Sequence, residues 1–207
     1  MLHRSGRTCW TRFAAVLLPA VAAAAALGIG MAQGALAASF LISGQRFQIT
    51  ADTLRGRGAS IYPLVDVTRK GALVPVVVLG FRHAEISRLC LSVELPVPML
   101  GPYTLRLTSA DGRRVEAANL FIDVTSVRAE QAHADDIDIG VAAGAVRKGP
   151  IDPGDRNSRF FDPNVFAQQA ESVVLNDVRA TSVATSAGTL NIPGLDLRIE
   201  QGRHRCF

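Results

Sequence analysis

The chain has 207 residues, of which 48% are hydrophobic, and a formal net charge of +4. Arg4, Arg7 and Arg12 lie before residue 38, where no acidic residue occurs, so the rest of the chain carries 19 basic and 18 acidic residues. This nearly neutral body has no long block of like charge, which argues against a nucleic-acid-binding function.

The first element is an uncharged apolar stretch, FAAVLLPAVAAAAALGIG, at residues 13–30. Behind a basic N-terminus, such a stretch is typical of an export signal. Ala35 and Ala37 supply the two small residues that a signal peptidase accepts, so we predict cleavage after Ala37. The alternative is a retained anchor, because Phe13 to Met31 is long enough to cross a bilayer as a helix. We favour cleavage, since alanine and glycine make this stretch a weak anchor.

The sequence therefore divides at residue 38. Residues 1–37 are predicted to be a signal peptide or a membrane anchor. Residues 38–207 are predicted to form a single β-rich extracytoplasmic domain, and about 170 residues are enough for one sizeable core.

Apolar and polar residues alternate after the leader, which predicts β-strands. Phe47, Ile49 and Ala51 share one face of the first predicted strand, and Leu105 and Leu107 share one face of a later strand. The polar residues between them are expected on the opposite faces.

An Asp-Gly pair within residues 110–114 follows, and this dipeptide predicts a β-hairpin. The next strand is predicted to place four apolar side chains on one face: Ala118, Leu120, Ile122 and Val124. A hairpin at this position favours an antiparallel sheet.

Between residues 143 and 164 the composition shifts to Gly, Pro, Asp, Arg and Asn, which predicts a long surface loop. Asp162 as N-cap and Pro163 as first helical residue indicate a short helix over residues 162–174. Alternation returns at the end of the chain, where three side chains are predicted to point inward: Leu195, Leu197 and Ile199.

Together these elements predict an all-β body. Four loosely similar segments, beginning at residues 46, 119, 173 and 188, fit an elongated solenoid-like stack of rungs. A twisted sandwich or an open barrel explains the same alternation, and the Asp-Gly turn favours it. Both topologies remain open at this level.

Cys90 and Cys206 are the two cysteines of the body, and Cys9 lies in the leader. With no thiol at metal-ligand spacing, a cysteine pair in an exported body predicts one disulfide. By closing a long loop, this disulfide would stabilise the fold by about 4 kcal/mol. The alternative is two buried free thiols.

The sequence contains no motif for covalent catalysis or metal binding. The G-x-S-x-G pentapeptide is missing, and Ser186 in ATSAGT, the nearest serine and glycine cluster, is interpreted as a turn or strand residue. His3, His83, His133 and His204 are isolated from one another, with neither H-x-x-x-H nor C-x-x-C. We therefore expect no catalytic residue, no metal and no cofactor.

The acidic segment AHADDIDIG offers one alternative. On a strand, Asp136 and Asp138 would share a face and could hold a hard cation such as calcium. We prefer the simpler interpretation, a solvated strand face with Ile137 and Ile139 buried.

Several segments carry a resemblance that covers nearly the whole chain: AQGALAASF, SGQRFQITADTLRG, DIDIGVAA, FAQQAESVVLNDVRATSVATSAGTLNIPGL and a cysteine near the C-terminus. With these, the chain resembles a group of exported actinobacterial proteins of unknown function. Some members are labelled cholesterol esterase, and members are often encoded beside a small multispanning membrane protein. The resemblance implies a cell-envelope role with a membrane partner, agrees with pairing Cys90 and Cys206, and transfers no catalytic motif.

Three functional hypotheses follow. The first is a noncatalytic exported protein, secreted or attached to the cell envelope, that binds a small multispanning membrane protein or a lipid or other apolar ligand. The second is a lipid or sterol ester hydrolase, which rests on the family label alone. The third is a structural surface protein. None of the three involves nucleic acid.

Overall fold

The computed structural model describes residues 43–207 and, before them, Leu17 alone. As predicted, the described body is all-β, with eight strands in one antiparallel sheet. The strands are β1 (Phe47–Val67), β2 (Leu73–Ser87), β3 (Cys90–Val97), β4 (Gly101–Thr108), β5 (Arg114–Arg128), β6 (Gln131–Ala142), β7 (Phe166–Asn191) and β8 (Asp196–Gln201). A 3-10 turn, Ala143–Ala145, and a one-turn helix, α1 (Pro153–Arg156), lie between β6 and β7.

Four of the strands close into a ring. β1 pairs with β2, β2 with β5, β5 with β7, and β7 pairs back onto β1, always antiparallel. β3 continues the line of β2 along β1, and β6 continues the line of β5 along β7. β4 and β8 extend the sheet outward from β3. The ring corresponds to the barrel alternative rather than to stacked rungs.

The core fills the interior of this ring. It takes apolar side chains from all four ring strands, among them Leu54, Phe81 and Val115. Ile49 and Ala51 are buried there and Phe47 packs against them, which confirms the face predicted for β1. Burying such side chains away from water is the main force that holds the ring closed.

The alternation in β5 changes phase at Asn119. Val115 and Ala117 face the core before it, and Leu120 faces the core after it. Asn119 has a φ of 49°, in the left-handed region, so the faces of the strand exchange at this point, while its pairing with β2 and β7 stays in register. Ala118, which was predicted to share a face with Leu120, is half-buried and lies outside the core, so that prediction is wrong.

The Asp-Gly turn forms, but it does not close a hairpin. Gly112 has a φ of 72° in a turn between β4 and β5. β4 pairs with β3 and β8, whereas β5 pairs with β2 and β7. The Ala110 N–H donates to the carbonyl of Pro193, 3.1 Å away, instead of to an adjacent strand. The hairpin prediction is wrong because the turn carries the chain from the outlying strands back into the ring.

The segment over residues 143–165 connects β6 to β7 where the loop was predicted, and it packs on the outer face of the ring. Its apolar residues Ala143, Val146 and Ile151 are buried. They form a second core with Tyr62 and Phe121, whose side chains point out of the ring. The segment therefore adds a layer to the sheet and is not a free surface loop.

The helix predicted over residues 162–174 is wrong, because β7 begins at Phe166. The Asp162 side chain accepts the N–H of Asn164 at 2.8 Å, which makes a tight turn instead of a helix cap. β7 pairs with β1 on one side and with β6 on the other, so strand pairing on two sides outweighs the local helix signal.

No helix among the described residues is long and apolar enough to span a membrane. The predicted signal peptide or anchor over residues 1–37, with the cleavage residues Ala35 and Ala37, lies outside residues 43–207. Export and cleavage therefore stay predictions.

Candidate functional site

The C-terminal tail is fixed to one face of β3 and β4. Cys206 forms the predicted disulfide with Cys90, with their Cα atoms 6.0 Å apart and a separation of 116 positions in sequence. The Cys206 N–H donates to Ser92 Oγ at 3.0 Å, and the His204 N–H donates to Thr104 Oγ1 at 3.0 Å. The tail thus covers the polar side of these strands and leaves their apolar side facing away from it.

The opposite face of β3, β4 and β8 is apolar. Residues directly opposite each other on neighbouring strands form one row, which consists of Ile49, Leu91, Leu107 and Leu197. A second row consists of Phe47, Val93, Leu105 and Ile199. Both rows start at the core of the ring and run outward to the last strand. We call Leu105, Leu107, Leu197 and Ile199 the apolar edge.

The outer end of the apolar edge is exposed. Leu195, Leu197 and Ile199 are 53%, 57% and 62% exposed, so the prediction that they point inward is wrong. The reason is topological: β8 is an end strand of the sheet, and no other described element covers its apolar face. An edge strand also presents unpaired backbone N–H and C=O groups. This surface can pack against an apolar partner or pair with a further strand.

A cluster of carboxylates lies beneath the 143–165 segment, on the outer face of the ring. The Tyr62 hydroxyl donates to Asp155 Oδ2 at 2.7 Å and accepts the N–H of Asp152 at 3.1 Å. The carboxyl groups of Asp66 and Asp123 lie beside them, and Asp66 Oδ2 is buried with no hydrogen-bond partner among the described residues. Asp123 comes from β5, and Asp66 and Tyr62 come from the end of β1.

Burial favours the protonated forms of the carboxyl groups in this cluster. Burial, followed by the charge of Asp66, raises the pKa of Asp123 to about 8. Burial also raises the pKa of Asp155 to about 7 and that of Asp66 to about 6. Two neighbouring carboxylates repel each other, so one of them favours its protonated form, and the higher pKa places the proton on Asp123. Burial and the charge of Asp155 raise the pKa of Tyr62, so its hydroxyl remains a donor.

Ser186 lies in β7, in agreement with its interpretation as a strand or turn residue. Its Oγ donates to Asp152 Oδ2 at 3.3 Å, at the rim of the carboxylate cluster. Nucleophilic serines need an adjacent general base, most often histidine. Among the described histidines, His133 contacts Asp135 and His204 contacts the Gln201 carbonyl. The position of Ser186 therefore adds no support to the hydrolase hypothesis.

The acidic segment of β6 binds a lysine. Asp136 Oδ1 and Asp138 Oδ2 lie 2.8 and 2.9 Å from the Nζ of Lys148. Ile137 and Ile139 are 46% and 67% exposed, so the prediction that they are buried is wrong, because β6 is the other end strand of the sheet. Within residues 43–207 no group of three or more His, Cys, Asp or Glu side chains is arranged to hold a metal ion.

Sequence reasoning missed the carboxylate cluster, whose members lie on β1, on β5 and near α1. One signal was present: Asp123 lies two residues after Phe121, on the face of β5 that turns away from the core. A carboxylate on an apolar face next to a large aromatic residue indicates a buried acid.

Comparison with known proteins adds a family and no activity. No curated protein and no solved structure is significantly similar to the chain. A family model described as a family of unknown function (DUF6230) matches residues 43–207. The match spans the ring, the apolar edge, the carboxylate cluster and both disulfide cysteines. The chain is therefore a member of this family of unknown function.

Proposed function

We propose that this protein is a noncatalytic, exported protein of the cell envelope that binds a membrane-protein partner through its apolar edge. The single observation that carries the proposal is the exposure of Leu197 and Ile199 on the last strand of the sheet, in line with the core. The Cys90–Cys206 disulfide supports the export part, because disulfides persist in oxidising compartments outside the cytoplasm.

Covering the apolar edge with a partner would contribute appreciably to the free energy of binding. Leu197 and Ile199 each leave more than half of their surface in water, and covering such a side chain contributes about 1 to 2 kcal/mol. A partner strand that paired with β8 would add backbone hydrogen bonds, which would strengthen binding further. A partner with an apolar strand or ridge therefore fits this surface.

A protein partner fits better than a small apolar ligand. Two cavities on the outer face of the ring have walls that contain charged side chains, including Arg55 and Glu85 in one and Arg82 and Lys148 in the other. Sites for apolar ligands are concave and lined mainly by hydrophobic side chains. The apolar edge is an open sheet face, which is the shape that a protein surface covers.

The proposal is tested by photo-crosslinking in the native host. A photoreactive amino acid at position 197 of the full chain would sit on the apolar edge, and the same amino acid at position 198 of β8 is the matched control. We expect position 197 to crosslink to one integral membrane protein, identified by mass spectrometry, and position 198 not to. The double change Leu197→Ser and Ile199→Ser should weaken association with that protein at least tenfold, whereas Arg198→Ser should not.

Other products of the same experiment would overturn the proposal. A crosslink to lipid would identify an apolar ligand in place of the protein partner. A crosslink to a second copy of the chain would favour the structural surface protein. Equal labelling at positions 197 and 198 would show that the apolar edge binds nothing specific.

A further inference from the structure

A basic groove runs across β1 and β2, on the outer face of the ring and away from the apolar edge. It consists of two cavities of about 290 and 450 Å³ that share Arg57, His83 and Ser172. We call it the arginine groove, after the five arginines that line it: Arg55, Arg57, Arg82, Arg114 and Arg147.

Strand geometry brings these side chains together. Arg55 and Arg57 lie two residues apart on β1, so both project from the same face. Arg57 lies directly opposite His83 on β2 and opposite Ser172 on β7. The groove is thus built on three paired strands of the ring, and the positions of its backbone are fixed by the sheet.

The far wall of the groove belongs to the 143–165 segment. Arg82 donates through Nε to the Lys148 carbonyl at 3.1 Å and through Nη2 to the Arg147 carbonyl at 2.5 Å. Gly58, with a φ of 62°, permits this close approach, since a Cβ there would lie 2.7 Å from Arg82 Cδ and 2.8 Å from the Lys148 oxygen. The segment therefore holds Arg147 beside the β-sheet arginines.

The described residues leave most of the positive charge of the groove without a carboxylate partner. Of its two acidic residues, Glu85 pairs with Arg114 at 2.6 Å, and Glu171 makes no ion pair among the described residues. Lys148 is paired with carboxylates of β6. Four guanidinium groups have no carboxylate within 4.0 Å in the part of the chain that the structure describes: Arg55, Arg57, Arg82 and Arg147.

We propose that the arginine groove binds an anion that carries two or more phosphate groups. A guanidinium group donates two parallel hydrogen bonds to phosphate and stays charged at every physiological pH. Arg55 and Arg57 project about 7 Å apart along the strand, so a ligand with two phosphates can engage both. Such an anion is either a free polyphosphate or a diphosphorylated lipid headgroup. The groove shares no residue with the apolar edge, so this proposal does not depend on the proposed function.

Binding to the purified full chain separates these two sources. Sodium pyrophosphate is titrated calorimetrically as the soluble probe, and vesicles of phosphatidylcholine with or without cardiolipin serve as the lipid probe. The test variant is Arg55→Ala with Arg57→Ala. The control is Arg128→Ala with Arg179→Ala, which removes the same charge at exposed positions outside the groove. We expect the groove variant to bind at least about tenfold more weakly and the control to bind as the wild type does.

The outcomes distinguish a free polyphosphate, a lipid headgroup and the absence of an anion site. Pyrophosphate binding that the groove variant loses assigns a free polyphosphate, and binding to cardiolipin vesicles alone that it loses assigns a lipid headgroup. No binding of either probe by the wild type, or equal weakening in both double variants, overturns the proposal. Thermal unfolding verifies that each variant is folded, and Arg57→Gln alone provides a milder change if the double variant is not.

Discussion

Among the described carboxyl groups, that of Asp123 has the pKa that burial raises most. In an unfolded chain an aspartate ionises with a pKa near 3.9, whereas burial keeps the pKa of Asp123 near 8. Between these two values the folded protein retains a proton that the unfolded chain releases. The free energy of unfolding therefore falls as pH rises from about 4 to about 8.

We predict that this protein is less stable at pH 8 than at pH 5, with a melting temperature lower by about 5 °C. Asp123→Asn should remove about half of this difference, because an amide keeps the shape of the carboxyl group and does not titrate, whereas Asp155 and Asp66, with pKa values raised to about 7 and about 6, account for the rest. Thermal unfolding followed by circular dichroism at both pH values measures the effect. Asp111→Asn, at an exposed turn, is the control, and an unchanged pH dependence in Asp123→Asn would contradict the assignment.

Single residues in the left-handed region also set the course of the strands. Gly58, Asn119, Asp136 and Asp177 have φ values of 62°, 49°, 50° and 51°, and each lies inside a strand. Glycine, asparagine and aspartate tolerate this conformation better than other residues. The strand pairing stays in register across each of them, and the side chains change faces there. An Asn, Asp or Gly within an alternating stretch was therefore the available sign of a phase change.

At the scale of elements, the 143–165 segment depends on one close approach. Gly149 lies against β1, and a Cβ at this position would be 2.3 Å from the backbone carbon of Ala59. The Ser60 hydroxyl donates to the carbonyl of the next residue, Pro150. This contact seats the segment over the second core and beside the carboxylate cluster.

We predict that Gly149→Ala destabilises the protein by about 2 kcal/mol, because the backbone of β1 cannot move away without loss of strand pairing. Urea denaturation measures the change in free energy, and hydrogen exchange should show the largest loss of protection within residues 143–165. Ala145→Ser, at an exposed position of the same segment, should leave both unchanged. Equal exchange in the wild type and Gly149→Ala would show that the segment does not depend on this contact.

β7 is the strand in whose first half the sequence wrongly predicted a helix. An N-cap, a proline and the AQQAES stretch together indicate a helix, yet residues 166–191 form one strand of 26 residues. The strand is decided by its partners, since β1 pairs with it on one side and β5 and β6 on the other. The helix propensity of the segment stabilises a helix less than hydrogen bonding along both edges stabilises the strand.

At the scale of the whole molecule, ring closure and the disulfide act on different parts of the chain. The ring joins β1, β2, β5 and β7, and the disulfide ties the C-terminus to β3, outside the ring. A crosslink over 116 residues stabilises the fold by about 4 to 5 kcal/mol in the chain-entropy model. The outlying strands, which carry the apolar edge, depend on it the most.

We predict that the protein isolated from its native host begins at Ala38. We also predict that Cys90 and Cys206 react with an alkylating agent only after the protein has been reduced. The reason is that Ala35 and Ala37 suit signal peptidase and that the disulfide forms in an oxidising compartment. Intact mass spectrometry of protein from culture fluid and from membranes, before and after reduction, measures both properties. A full-length species confined to membranes would show instead that residues 13–31 are an anchor.

The sequence by itself determined the all-β class and the pairing of Cys90 with Cys206. Both follow from the sequence pattern: alternation has a period of two residues, and two cysteines in the body permit one bridge. Tertiary structure alone decided which faces are covered. Leu197 and Ile139 alternate as core residues do, yet both are exposed, because β8 and β6 are the ends of the sheet. The carboxylate cluster and the arginine groove likewise form where strands distant in sequence meet. Alternation predicts which residues share a face of a strand, but it does not predict which other element packs against that face.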